Sequence, residues 1–531
     1  MDRLTGLFLT LTLLCIAGCQ SPAPAGQDHI QTEFERVPEA VKPWAYWYWM
    51  DDNVSKQGIT DDLESMAEIG IKEVFIGNIG GEDIPSGDVR MLSEEWWELM
   101  RWSIREGHRT GVDIGVFNSP GWSQSGGPWV TPDKAMRFLV SSETEVTGPA
   151  RFNGLLPAPT DPFQDVAVLA LPVSSAEVYL SEKEHKVWTK PAIQDPQRLT
   201  DGNLETSGLF PDLGTSKGSI TIEIETAEPF TARSLVLHPA EHQILADCEL
   251  YAEIEEEFKL VRTFELDRHN EYLPVGPVPY AELAISLPAV TSQRFRLVIS
   301  LKESNYFIAP AGYVESVAGG LKEIELCSGV RLEYYMEKQL AKLHQDPVYS
   351  GTEYIWESQA EPDNADLIVG ESEVINLTDR LSVDGGLEWE VPEGRWVIQR
   401  IGMTPTGVEN HPALPHARGL EIDKMNPEAI QYHFDQYVGK LQEGVSEAEQ
   451  SALKHVIIDS YEVGSQNWTD QLEKRFQEVY GYDPVPWLPV LSGRVVGSVS
   501  QSDRFLWDLR RLVADDIAKN YVGGLKEAAH R

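Results

Sequence analysis

The sequence predicts an α/β fold: a (β/α)8-type barrel, incomplete in this chain, interrupted by an inserted all-β sandwich region. Three observations predict it. Strand-like and helical segments alternate over residues 41–140. Short, turn-bounded strands take over from 141 to 400. Helical spacing returns from 401 to 531.

The first β/α units open on PWAYWYWM (43–50), an aromatic-rich strand. Ile59, Leu63 and Met66 recur at helical spacing, and Gly70 stops that helix. IKEVFI (71–76) follows as a buried strand. Ser93 is placed to cap the next helix, with Glu94 and Glu95 in its positive first turn. Trp97, Met100 and Ile104 line one face, and His108 and Arg109 precede the stop at Gly111. VDIGVF (112–117) is the third strand. Strand, helix, strand, helix, strand implies a parallel sheet.

The strands beyond 140 include DVAVLALPV (165–173), SITIEIET (219–226), SLVLH (234–238) and RFRLVIS (294–300). LTDGNLETS (199–207) resembles discoidin-like carbohydrate modules, which places such a β-sandwich at about 190–330. One helix is expected near 332–344. Later come a helix over 427–441 with Pro427 early in it, a strand HVIIDSYE (455–462) ending in polar residues, and helices over 469–480 and 503–527. Phe505, Leu509, Leu512 and Ile517 share a face of the last. Four or five barrel strands are too few to close an eight-stranded barrel, so the sequence reads as truncated at its carboxyl end.

The chain has 531 residues, enough for three or four domains at about 150 residues each. Its 42% hydrophobic and 24% charged content excludes a multi-span membrane protein and long disorder. Lys and Arg number 44 against 84 Asp and Glu, a net charge of −40. Such a surface repels phosphate backbones, which excludes a nucleic-acid partner. The 15 Trp and 18 Tyr supply apolar plates for sugar rings, and equally the contents of large cores.

Residues 4–18 are an apolar run behind Arg3, too short to span a bilayer. The run ends in Ile16-Ala17-Gly18-Cys19, which resembles a bacterial lipobox. This reading makes 1–18 a lipoprotein signal peptide, Cys19 the lipidated residue and 19–40 a tether. The protein is then exported and anchored in a membrane. Gln20 and Ser21 carry no acidic retention signal, which favours the outer membrane, periplasmic or cell-surface side. An ordinary signal peptide with a chance cysteine is the alternative. Cys248 and Cys327 fall in strand-like segments of an exported chain, where a disulfide is permitted but not fixed by sequence. No paired-cysteine spacing marks a zinc site.

In barrels, reactive side chains project from the carboxyl ends of strands. Three such ends are polar here. The first carries Trp49 and Asp51 in WMDDN; the second carries Asn118, Trp122 and Ser123 in NSPGWS; the third carries Asp459 and Glu462 in DSYE, followed by Trp468. Gly and Ser let backbone approach a ligand, and each Trp is either a plate or core. Glu462 follows an apolar strand beside aromatic residues, a setting that suits a general acid; a salt-bridged loop glutamate is the other reading. Asp459 suits a second carboxylate, a metal ligand or a hydrogen-bonding orienter. A fourth stretch holds Asn410, His411, Glu421, Asp423 and Lys424 in a Gly/Pro-rich loop. It suits sugar hydroxyls or a hard cation, or simply a solvated loop with internal ion pairs. No dinucleotide fingerprint, P-loop, HExxH, EF-hand or GxSxG motif is present, so no organic cofactor is expected.

Taken together, PWAYWYWMDDNVSKQGITDDLESMAEIGI, LSEEWWELMRWSIREGHRTGVDIGVFNSPGWSQSGGPWVTP, TPTGVENHPALPHARGLEIDKMNPEAI and HVIIDSYEVGSQNWT resemble glycoside hydrolase family 106, the α-L-rhamnosidases. The resemblance spans about residues 41–531. It implies inverting hydrolysis of terminal α-L-rhamnose from plant-type glycans or glycosides, and a calcium ion at the site. It assigns the acid-type glutamate to Glu462 and puts its partner carboxylate beyond Arg531. Two other readings stand beside it: a barrel glycosidase of different sugar specificity, and a non-catalytic carbohydrate-binding surface lipoprotein.

Overall fold

A computed structural model describes residues 30–32, 34, 37–81, 83–122, 125–211, 218–268, 277–302, 319–340, 356–459 and 461–531. Cys19, the signal peptide and Ser123 lie outside the described residues.

In chain order, β1 (Trp44–Met50), α1 (Lys56–Ile69), β2 (Glu73–Ile79), α2 (Glu94–Thr110) and β3 (Asp113–Phe117) come first. Then follow β4 (Arg137–Leu155), β5 (Gln164–Val173), β6 (His185–Lys190), β7 (Gly208–Leu209), β8 (Ser219–Pro239), β9 (Ile244–Ile254), β10 (Glu257–Arg268), β11 (Leu283–Leu301) and β12 (Gly320–Cys327). The rest is α3 (Tyr335–Leu340), β13 (Ile375–Asn376), β14 (Gly386–Pro405), α4 (Pro427–Phe434), β15 (Leu453–Ile457), α5 (Leu472–Tyr480) and α6 (Val499–Asp516).

The chain divides into two compact units. The first comprises residues up to Gly77, Ser86–Val116 and Gly444–His455; the second comprises Asn78–Pro85, Phe117–Glu443 and Val456–Arg531.

The first unit is built on a four-stranded sheet in the order β1-β2-β3-β15, with β2 and β3 parallel. The helix signals read from sequence are the ones that act. Ser93 accepts from Trp96 N, and Gly111 ends α2 at φ 78°. Gly70 ends α1 in the left-handed region as read, and Ser55, which the sequence reading did not single out, caps its start. The described residues show no closed sheet, so the fold is α/β with this four-stranded sheet and not a demonstrated barrel.

The second unit holds two β modules. One is a four-stranded sheet, β13-β5-β14-β4, in which β4 and β14 pair along their length. Between β5 and β13 the chain leaves for a seven-stranded sheet in which β8 and β11 are shared along their length, with a register break between Ser286 and Val290. Its inward side chains, among them Ile222, Leu235, Leu250, Phe295 and Leu321, form one core cluster. Cys248 and Cys327 are buried in this module as free thiols, and burial pushes both up to about 12.

Two helices run longer than their α-helical cores. α4 continues through a π-helical stretch at Asp435–Gly439, and α6 through one at Ile517–Gly523. The segment 455–462 is not one strand: β15 stops at Ile457. Its neighbour explains this. The ladder's last bond is Asn118 N to Ile457 O. Beyond it Pro120 has no N–H to offer and Gly121 turns away at φ 83°, so among the described residues Ile458 and Asp459 find no strand to pair with.

Candidate active site

The second unit gathers most of the candidate residues around residues 118–122 and 125–129 and the loop 409–425. Two buried side chains and one close glycine tie them together. Asn410 is fully buried; its Nδ2 donates to Pro120 O at 2.8 Å and its Oδ1 accepts from Gly419 N at 2.9 Å. Gly121 lies so close to the second loop that a Cβ there would sit 2.7 Å from Pro412 O. Glu421, at 0% exposure, accepts from Ser125 N at 3.0 Å and pairs with Lys424 Nζ at 2.5 Å.

Lys424 is equally buried, and its ammonium lies 4.7 Å from the Tyr521 ring centroid. Burial lowers its pKa, with Glu421 opposing that shift. Tyr521 Oη in turn shares a 2.7 Å hydrogen bond with Ser125 Oγ, which accepts from Asn118 Nδ2. Asn118, Ser125, Tyr521, Glu421 and Lys424 therefore form a continuous polar floor sealed from solvent.

Asp423 belongs to the same floor but has no capacity for a ligand. Its Oδ1 accepts from Gln466 Nε2 at 2.7 Å and Met425 N at 2.9 Å; its Oδ2 accepts from Thr469 Oγ1 at 2.5 Å and Arg137 at 3.3 Å. Trp468 is core: at 1% exposure it packs with Phe476, Trp487 and Leu509. A hydroxyl-binding role for Asp423 and a plate role for Trp468 are therefore replaced by structural ones.

Above the floor stands the open part of the site. Glu462 and His411 are each about two-fifths exposed, with His411 Nε2 3.9 Å from Glu462 Oε2. Tyr461 is exposed, Trp122 is half-buried and Asp459 is exposed. The structure thus brings Glu462, His411, Asn410 and the 118–122 segment to one place.

Trp49 and Asp51 belong to the first unit. Trp49 is buried edge-on against Trp47, with ring centroids 5.5 Å apart, and both line a cavity of about 660 Å³ with Asp52, Asp62 and Glu95. Asp51 and Asp52 take φ of 47° and 63° in the turn after β1, where short polar side chains tolerate the left-handed region. Asp51 O accepts from Gly87 N at 2.7 Å, a backbone bond that holds the turn.

Sequence reading missed Ser125, His433, Tyr437 and Tyr521. His433 and Tyr437 lie one helical turn apart in the run from α4, spaced to face one way, but nothing in the sequence says which loop they meet. Tyr521 sits in the π-helical stretch, where the 3.6-residue period fails to predict its face.

A half-exposed carboxylate stands here beside an imidazole, next to a buried polar floor, and comparison places the chain among the glycoside hydrolases. It belongs to glycoside hydrolase family 106, alpha-L-rhamnosidase, whose profile matches residues 35–531. The rhamnosidase from Novosphingobium sp. PP1Y superposes with a TM-score of 0.76 at 27% identity, covering 96% of this chain and 46% of that one. A Formosa agariphila protein named "Putative beta-glucuronidase" is 26% identical over 534 residues, covering 100% of this chain and 32% of that protein. The chain spans less than half the length of either.

Proposed function

We propose that this chain carries part of the active site of an α-L-rhamnosidase that removes terminal rhamnose from plant-type glycans or glycosides with inversion. The observation that carries the reading is Glu462. It stands just past a strand end, open to solvent, with His411 at 3.9 Å and the sealed floor beside it. Inversion uses one carboxylic acid to protonate the leaving oxygen and one carboxylate to activate water, roughly 6.5–9.5 Å apart. Glu462 takes the acid role. The base comes, by family resemblance, from sequence beyond Arg531. Trp122 and Tyr461 offer apolar surface to the sugar's methyl group, and His411 offers a ring nitrogen to its hydroxyls.

The name of the Formosa relative raises a glucuronide as an alternative substrate. A hexuronate brings a carboxylate that calls for an available cation. Here Lys424 is sealed against Glu421, and Arg137 is held by Asp423 and Asp470. The buried cations of the floor are thus committed, and the family resemblance favours the neutral deoxysugar. A calcium ion, implied by the resemblance, takes six to eight oxygens. Among the described residues no three His, Cys, Asp or Glu side chains converge to hold a metal, and Asp423 is saturated.

The reading includes export and a lipid anchor on Cys19. Cys19→Ser should leave unprocessed precursor without fatty-acid label; equal label in both would remove the anchor from the proposal.

The test of the activity is Glu462→Gln in the full-length enzyme. Sugar binding should persist while hydrolysis of a glycan falls by about 10²–10⁴. A nitrophenyl rhamnoside, whose leaving group needs little protonation, should lose much less. Equal loss on both substrates with a lower Tm would mean a structural glutamate. Rhamnose binding without hydrolysis in the wild type would favour a binding lipoprotein.

A further inference from the structure

His433 is a fully buried imidazole on α4, and both of its ring nitrogens are engaged. Trp129 Nε1 lies 3.1 Å from Nδ1, and Asn118 O lies 2.8 Å from Nε2. An indole N–H can only donate, so Nδ1 must be an acceptor. The ring's single proton therefore sits on Nε2 and is donated to the Asn118 carbonyl, which has no hydrogen to give. One neutral tautomer satisfies both contacts, and neither the other tautomer nor the imidazolium does.

The two partners are the two ends of one segment. Asn118 begins the stretch that leaves β3, and Trp129 ends it. Neighbouring residues of the same helical run support the Trp129 end. Tyr432 Oη donates to Trp129 O at 3.3 Å, and the Tyr437 ring stacks on the indole at 5.9 Å and 25°. Between the ends lie Trp122, half-buried at the open site, and Gly121, pressed against the His411–Pro412 backbone. Burial, with a contribution from Lys424, lowers the pKa of His433 to about 3, so the neutral ring persists at any working pH.

We propose that His433 is a positioning residue that clasps Asn118 and Trp129 and so fixes Trp122 and the His411 backbone relative to Glu462. It touches no substrate. Its kinetic consequence rests on the rhamnosidase reading; the clasp itself does not.

Two variants separate the clasp from simple packing. In His433→Gln the amide oxygen can accept from Trp129 and the amide nitrogen can donate to Asn118 O. His433→Phe fills the space and makes neither bond. In the full-length enzyme, His433→Phe should raise KM for a nitrophenyl rhamnoside by about tenfold or more, as misplacement of a binding segment does. His433→Gln should stay within about threefold of wild type, since both hydrogen bonds survive. Chymotrypsin should cut after Trp122 at least about tenfold faster in the Phe variant than in wild type or the Gln variant. Nitrogen-15 NMR of the wild type should show the Nε2–H tautomer unchanged from pH 5 to 8. Equal cleavage in all three proteins, a Gln variant as impaired as the Phe variant, or an imidazole that titrates in that range would overturn the clasp. If the wild type hydrolyses no rhamnoside, the activity reading fails, while proteolysis and NMR still decide the clasp.

Discussion

His411 Nε2 stands 3.9 Å from Glu462 Oε2, although the two residues come from separate loops and each is open to solvent. Even a fully charged exposed pair at this distance would contribute only about 0–1 kcal/mol, too little to explain two loops held together. The loops are held instead by buried groups, Asn410 on Pro120 O and Glu421 on Ser125 N. The pair is therefore carried by the scaffold and does not carry it.

His411→Ala should consequently leave Tm nearly unchanged while lowering kcat/KM on a glycan by about tenfold, a loss of about 1.4 kcal/mol. Combined with Glu462→Gln the losses should not add, because residues acting as a unit couple by about 0.5–3 kcal/mol. A double-mutant cycle in kcat/KM measures this. Strict additivity would separate His411 from the function of Glu462.

Two glycines with nearly the same backbone should respond differently to alanine. Gly111 ends α2 at φ 78° with nothing within 4 Å of a built Cβ, whereas Gly121 at φ 83° would place its Cβ 2.7 Å from Pro412 O. Gly111→Ala should cost about 1 kcal/mol of conformational strain and spare activity. Gly121→Ala adds a backbone clash at the His411 loop, so it should cost more stability and also impair turnover. Urea unfolding with parallel kinetics would show the contrast; similar effects from both would contradict it.

Lys424→Met should be severe. It removes one member of a pair whose two side chains are both at 0% exposure, leaving Glu421 as an uncompensated buried charge. Breaking such a pair costs about 3–5 kcal/mol, while replacing both charges by apolar groups can be close to neutral. Lys424→Met with Glu421→Leu should therefore be the more stable of the two variants. Denaturant midpoints decide it, and a double variant weaker than the single one would refute the argument.

The sequence made some of this legible and concealed the rest for identifiable reasons. α1 and α2 were readable because Ser93, Gly70 and Gly111 mark their ends with local chemistry. The polar strand ends were readable because Gly, Pro and Asn break an apolar run. Asp423 and Trp468 were not. Residue type does not reveal that Arg137, Gln466 and Thr469 consume one carboxylate, or that the other residue faces a core. The end of β15 depended on β3 running out of partners, a fact about a strand hundreds of residues away. His433 was hidden for the same reason, since its meaning lies in two loops that only the fold brings to one ring.

That ring should leave a signature in acid stability. The pKa of His433 falls from its ordinary 6.5 to about 3 because it is buried, with Lys424 adding repulsion against the hydrogen bond to Asn118 O. Between those values the unfolded chain binds a proton at this position and the folded protein does not. Stability therefore rises with pH across the window: the contribution of His433 is complete above about pH 6.5 and is lost as pH falls toward 3. The slope from one such proton approaches about 1.4 kcal/mol per pH unit. His433→Gln has nothing to protonate, so its stability should fall less steeply between pH 6.5 and 4. Lys424 and Glu421 are common to both proteins and cancel in the comparison. Urea denaturation of both at pH 7, 6, 5 and 4 should give curves that converge on acidification, with the wild type losing its advantage first. Parallel curves would mean that the imidazole is protonated in the folded state, and that Trp129 cannot be donating to it.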